Sequence, residues 1–413
     1  MNLHDHAGEV RPFLLESMPM PDYLALAQSL APRLIAWRRD FHQHPELGFQ
    51  EFRTAAIVAE HLQSLGLEVT TGVGKTGVVG IIEGNGPGPV ALLRFDMDAL
   101  PVTEATGLPW ASQEPGRMRA CGHDGHTAIG MGVATLLAQT RDQWPGTVKL
   151  LFQPAEEGLG GAKATIRDGV LENPRPDAAF ALHLWNQFPL GKLVVQPGPL
   201  MAASDRFDIA ITGRGGHGAA PEDAIDAVLV AANMVTMLHH IVSRNVSPHD
   251  AAVLTIGSLH SGDAFNVIAE RAFMEGTLRT FDPAVRDLLI QRMEEVLGGV
   301  TRAHGASYAF EIQENEYTPP VINDERMAAI AREAALTFLP EEQIIQIEPI
   351  MVSEDMSEIM NRVPGCYVLL GAEPEGGARG PHHNPRFDIH EDALPLAAAI
   401  MSQIAVIYLR QGT

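Results

Sequence analysis

Apolar residues recur at helical spacing from about Glu51 to Leu65, and Gly66 follows where such a helix would stop. The pattern then shortens. Thr76–Gly84 (TGVVGIIEG) and Pro89–Asp96 (PVALLRFD) are short, apolar or β-branched, and bounded by Gly and Pro, which predicts strands. Next come a predicted helix over Thr127–Thr140, a strand over Gly146–Gln153, a helix over Gly160–Leu171 and a strand over Asp177–Trp185. Strands alternating with helices imply an α/β fold, with a mainly parallel mixed sheet flanked by helices.

After about Met201 the rhythm changes. Ser204–Gly216 (SDRFDIAITGRGG) ends in a glycine cluster, and a long helix is predicted over Asp223–Arg244. Two strands (Ala252–Leu259, Arg271–Phe281), a helix (Pro283–Ala303) and a strand (Ser307–Glu316) follow. This β-α-β-β-α-β order predicts an inserted α+β two-layer domain. A helix near Glu325–Phe338, a strand at Cys366–Ala372 and a helix from about Glu391 to Leu409 then resume the first pattern. The expected division is a catalytic domain of residues 1–199 and 319–413 around an inserted domain of 200–318, in keeping with a length beyond the reach of one core.

Composition narrows the function. The chain has 46% hydrophobic and 19% charged residues, with mean hydropathy near zero, as a globular protein does. Lys+Arg number 29 against 51 Asp+Glu, and the net charge of -22 repels phosphate backbones and anionic lipid, so neither nucleic acid nor membrane is an expected partner. Two cysteines, Cys121 and Cys366, are too few for a disulfide framework and suit a reducing cytoplasm. The N-terminal residues carry Asp5, Glu9 and Glu16 where a signal peptide needs a basic start and an apolar core. The apolar run Ala224–Ile241 contains Asp226, His239 and His240 and is expected to fall short of a membrane span of about 20 apolar residues.

Residues that bind metal or move protons concentrate in five segments. RFDMDALP places Asp96 and Asp98 at the end of a strand; ACGHDGH offers Cys121, His123, Asp124 and His126 just before a helix; FQPAEE ends in Glu156-Glu157; ALHLWN puts His183 in an apolar strand; GPHHNPRFD supplies His382 and His383. Open α/β sheets bind ligands at the carboxyl ends of their strands. A thiolate with imidazoles and carboxylates suits Zn²⁺, Co²⁺, Ni²⁺ or Mn²⁺ better than Ca²⁺ or Mg²⁺. Adjacent side chains diverge, so one of Glu156 and Glu157 can ligate metal while the other takes a proton from water. Taken singly, each has a plainer role: a buried thiol, a core histidine, a solvated acid pair, a polar loop.

These motifs, with RRDFHQHPELGFQEFRT, GRGGHGAAPEDAID, GTLRTFD and SEDMSEIMNRVPG, resemble the metal-dependent amidohydrolase family of hippurate hydrolase, bacterial N-acyl amino acid aminoacylases and plant auxin-conjugate hydrolases, over nearly the whole chain. The resemblance implies two divalent ions (Zn, Mn, Co or Ni) held by Cys121, His123, Glu157, His183 and His383, with Glu156 as general base and Asp98 orienting a ligand imidazole. It implies that the inserted domain is a lid and dimerisation surface of a homodimer or higher homo-oligomer. There His217 polarises the scissile carbonyl across the dimer, while Asn266 and Arg279 hold the substrate carboxylate. The implied reaction is amide hydrolysis of a small N-acyl amino acid. Dipeptidase, carbamoylase or aromatic-amine deaminase activity at the same centre, or a catalytically silent metal-binding scaffold, are the alternatives. The sequence departs from the family pattern at Phe95, Glu222, Ala227 and Met356, which bears on the substrate pocket and on the start of the helix near Asp226.

Overall fold

The apolar runs fold as strands because they are covered on both faces. In the computed structural model of the chain, which describes residues 19–412, Val90–Asp96 and Thr147–Gln153 are buried except at their first residue, and Gly365–Gly371 is buried throughout. The N-terminal stretch read for a targeting signal lies outside the described residues up to position 18. Eight strands form one sheet in the spatial order Glu68–Val73, Gly77–Glu83, Thr147–Gln153, Val90–Asp96, Ala178–Trp185, Gly365–Gly371, Leu193–Val194, Ile344–Ile345. The four central strands run parallel, and antiparallel pairings join Gly77–Glu83 on one side and Leu193–Val194 on the other. Parallel strands covered by helices read as continuous apolar runs rather than alternating ones.

Helices Tyr23–Gln43, His123–Gln139 and Ala393–Gln411 pack together against this sheet, and their apolar residues join it in one core that includes Leu34, Val133, Phe152, Phe180 and Ile404. The apolar pattern predicts no helix before Glu51. Tyr23–Gln43 escapes it because Pro32 interrupts the run and because Arg38 and His42, polar by type, are wholly buried. The helix expected from Thr127 begins at His123, since Gly122, at φ +95°, makes the turn that starts it. His123, Asp124 and His126 therefore sit on its first turn rather than ahead of it.

The described residues form two compact units: Pro199–Ile322 with Glu348–Glu358 make the second, and residues 19–198, Asn323–Ile347 and 359–412 the first. The stretch expected to stay with the catalytic domain after 319 is thus interrupted. Glu348–Glu358 joins the second unit because Ile350 and Val352 exchange backbone hydrogen bonds with Leu200 and Ala202. Within that unit a four-stranded antiparallel sheet, ordered Ala252–Ser261, Arg271–Thr280, Ala203–Thr212, Ser307–Ile312, carries helices Ala227–Asn245 and Pro283–His304 on one face.

Two helices, Ala227–Asn245 and Ala393–Gln411, are each 19 residues and apolar enough to cross a membrane, so the first exceeds its sequence expectation. Ala393–Gln411 is a core helix, whereas Ala227–Asn245 buries one face only. The apolar window of Ala393–Gln411 is 89% buried, and Val230, Met234, Leu238 and Ile241 of the other face the sheet of the second unit.

Candidate metal centre

Four segments meet where the parallel strands end. Asp96 closes its strand and Asp98 follows; Pro154–Glu157 follows the strand ending at Gln153; His183 lies near the end of Ala178–Trp185; Cys121 precedes the buried helix that His123 starts. The loop carrying His383 reaches the same place, its backbone N–H donating to Ala120 O at 2.7 Å. Candidate ligand atoms of Cys121, His123 and His183 lie within 4.8 Å of one another, as do those of Cys121, Glu157 and His383, and of His123, Glu156 and Glu157. The structure thus brings Cys121, His123, Glu156, Glu157, His183 and His383 together.

The spacing fits a shared cation. Cys121 Sγ stands 3.5 Å from His183 Nε2. Glu157 Oε1 stands 3.2 Å from His383 Nε2 and 3.9 Å from His123 Nε2. Donors on one tetrahedral ion, at bond lengths of about 2.0–2.3 Å, stand roughly 3.3–3.8 Å apart. His123 Nε2 is buried with no hydrogen-bond partner among the described residues, as suits an atom whose partner is an ion.

Hydrogen bonds fix which ring nitrogen each histidine presents. His123 Nδ1 donates to Asp98 Oδ1 and to Asp98 O, both at 3.1 Å, which leaves Nε2 as the lone-pair nitrogen. Asp98 Oδ2 accepts from Glu157 N at 3.0 Å, so one carboxylate sets both an imidazole and the peptide of the glutamate. His183 Nδ1 donates to Leu184 O at 2.8 Å, again leaving Nε2 for the cluster. His126 is different. Its Nε2 accepts from Leu184 N at 2.9 Å and its Nδ1 donates to Asp96 Oδ1 at 2.6 Å, so no lone pair remains for a metal. His382 donates from Nε2 to Leu184 O at 3.1 Å and packs on Trp185 and Phe387, apart from its neighbour His383.

The centre has a surplus of acid. Burial lowers the His123 pKa, but Asp96, Asp98 and Glu157 outweigh it and raise it to about 10. Burial, then Glu157, Glu156 and Asp96, push the Cys121 thiol well above its ordinary value. Burial pulls His183 well down, with His126 and His382 adding to the fall. Buried like charges of this kind are costly unless a cation answers them.

Backbone conformations that non-glycine residues rarely adopt flank the cluster: Ala155 has φ +52° and His383 φ +66°. Such strain persists where surrounding contacts over-determine it, and it concentrates at functional sites. His217, Asn266 and Arg279 lie in the second unit. His217 pairs in register with Val267 on a two-stranded ribbon beside Asn266, and both are exposed. Arg279, next to last in the strand Arg271–Thr280, is half-buried and donates to Leu278 O at 2.9 Å. Pro221–Asp223 forms a short 3-10 turn, and Asp226 caps the following helix by accepting from Val228 N at 2.9 Å.

Sequence reasoning passed over a buried support beneath the cluster. Arg38 donates to Asp124 at 2.9 Å, to Asp388 at 2.8 Å and to Glu391 at 3.2 Å, and His42 Nδ1 meets Asp124 Oδ2 at 2.8 Å. It ties the first helix, the helix bearing His123 and the chain just beyond His383. The only signal in the sequence was the presence of Arg38 and His42 in RRDFHQHPELGFQEFRT, since their partners lie far along the chain.

Residues 92–406 match the description of peptidase family M20/M25/M40. The Bacillus subtilis protein YhaA, named as an amidohydrolase, is 44% identical over 91% of this chain and 94% of its own. The N-acetyl-L-cysteine deacetylase of Bacillus subtilis is 38% identical over 91% of this chain and 88% of its own. Among solved structures, the Bacillus subtilis YXEP protein, described as a dinuclear metal binding peptidase of the M20 family, superimposes with a TM-score of 0.81 at 36% identity, covering 94% of this chain and 100% of that one. Motifs, fold and relatives agree, and the chain belongs to peptidase family M20/M25/M40 as a metal-dependent hydrolase.

Proposed function

We propose that the chain hydrolyses the amide bond of small N-acyl amino acids at a centre of two divalent cations held by Cys121, His123, Glu157, His183 and His383. The carrying observation is the convergence of these five groups at spacings that suit shared ions, with Glu156 beside His123 and Glu157. Zn²⁺, Mn²⁺, Co²⁺ or Ni²⁺ suits a set of one thiolate, three imidazoles and one carboxylate. When bound, such ions polarise a carbonyl oxygen and lower the pKa of water toward ~7.

The side chains of this chain do the rest. Glu156 takes the proton of the attacking water and passes it to the leaving amine. Asp98 holds His123 in the tautomer that presents Nε2 and holds the Glu157 peptide. In the second unit we assign His217 to polarising the scissile carbonyl across a homodimer, and Asn266 and Arg279 to holding the substrate carboxylate, a task suited to the guanidinium fork. The relative named for N-acetyl-L-cysteine deacetylation supports the N-acyl class. Both cysteines are free and buried, which supports a reducing cytoplasm as the setting.

The test is turnover by purified enzyme on N-acetyl and N-benzoyl amino acids and dipeptides, with Mn²⁺, Co²⁺ or Zn²⁺ and a chelator control. Metal-dependent release of the free acid from the N-acyl compounds is expected. Absence of metal-dependent turnover on every N-acyl compound would refute the reading.

A further inference from the structure

Glu51 sits at the N-cap of helix Phe52–Ser64, where a short polar side chain ordinarily accepts the first free amides of the helix. It makes no such bond. Glu46 takes those amides instead, accepting from Arg53 N and Thr54 N at 2.8 Å each. The Glu51 carboxylate, wholly buried, turns toward a distant loop: Oε1 accepts from Ala155 N at 2.8 Å and Oε2 from Thr76 Oγ1 at 2.5 Å. Ala155 is the residue at φ +52° directly before Glu156.

Asp98 holds Glu157 N at 3.0 Å on the other side of Glu156. The amides on either side of the proposed base are thus each gripped by a buried carboxylate from another segment. The loop between is tight as well, with Gly161 N donating to Ala155 O at 3.0 Å. A Cβ on Gly161 would stand 1.7 Å from Pro154 O, so only glycine fits where the chain closes back on this turn.

We propose that Glu51 is a positioning residue for catalysis: its carboxylate holds Ala155 in its left-handed conformation and thereby aims Glu156. This rests on the assignment of Glu156 as general base. Misplacing a reacting group by about 1 Å costs roughly 10²-fold in rate. The requirement is an acceptor at the right reach, not a charge.

That distinction sets the test. Glu51→Gln keeps an oxygen facing Ala155 N and can donate to Thr76; Glu51→Asp keeps the charge but falls short by one methylene. On the fastest N-acyl amino acid of the panel, Glu51→Asp should lower kcat by about 10–100-fold with KM and bound metal nearly unchanged. Glu51→Gln should stay within about threefold of the parent. A second reading needs no turnover: in metal-free protein, amide hydrogen exchange in the 154–158 segment should quicken in Glu51→Asp and not in Glu51→Gln.

If kcat and exchange in Glu51→Asp match the parent, or if Glu51→Gln falls as far as Glu51→Asp, the proposal is overturned. Glu156→Gln measured alongside separates the two ideas. An active Glu156→Gln refutes the assignment of the base, whereas an inactive one beside a normal Glu51→Asp refutes only the role of Glu51.

Discussion

Replacing Asp98 by Asn isolates one link between sequence and metal affinity. Asp98 is 1% exposed and faces two donors, His123 Nδ1–H at 3.1 Å and the Glu157 amide at 3.0 Å. A carboxylate accepts from both. Asn has one oxygen and one NH₂, and the Glu157 amide can only donate, so the oxygen must face Glu157 and the NH₂ must face His123. A donor aimed at Nδ1 favours the tautomer with the proton on Nε2, which removes the lone pair offered to the ion. Losing such an outer contact typically costs 10–100-fold in metal affinity, or about 1.4–2.8 kcal/mol.

Here the loss should sit near the lower end, at roughly 10-fold, because Asp98 O also accepts from His123 Nδ1 at 3.1 Å and survives the substitution. Competition of the apoprotein with a chromophoric chelator for Zn²⁺ or Co²⁺ measures it. Unchanged affinity would refute the tautomer argument. Complete loss of one ion would show that Asp98 is itself a ligand.

Glu156→Gln should keep its metal while kcat falls by about 10²–10⁴, the usual contribution of a general base, as elemental analysis and steady-state kinetics can check; a normal kcat would contradict the role. Cys121→Ser should weaken metal binding by more than the roughly 10–100-fold of an outer contact, because a hard, weakly acidic hydroxyl replaces a thiolate; titration of the apoprotein decides. Metal uptake should release protons and tighten as pH rises, since burial and the neighbouring acids hold the Cys121 thiol protonated until an ion displaces the proton; the slope of affinity against pH is the readout. His61 is buried, and burial lowers its pKa from 6.5 to about 4. Its neutral form favours the fold above pH 6.5, and that contribution is lost as pH falls toward about 4. Melting curves of His61→Gln should therefore fall less steeply across that window, with His382, also lowered to about 4, retaining its share.

The central strands were legible because parallel strands buried on both faces leave unbroken apolar runs, as in Val90–Asp96 and Gly365–Gly371. The cluster was legible because the motifs carrying Asp98, Glu156 and His183 end such strands. Helix Tyr23–Gln43 was not, since Arg38 and His42 are buried through polar partners that lie far along the chain, Glu104, Asp124, Asp388 and Glu391 among them, which no local period reveals. The use of Glu51 was equally hidden: only the fold shows its carboxylate spent on Ala155, 104 positions on. The place of Glu348–Glu358 depends on backbone pairing with Leu200 and Ala202, and backbone pairing leaves no side-chain signature.

Anomalous diffraction from crystals grown with Zn²⁺ or Mn²⁺ tests the two-cation centre most directly. Two peaks are expected, each with three or more ligand atoms from Cys121, His123, Glu157, His183 and His383 at about 2.0–2.3 Å. A single peak, or peaks bound by other residues while these five remain uncoordinated, would contradict it.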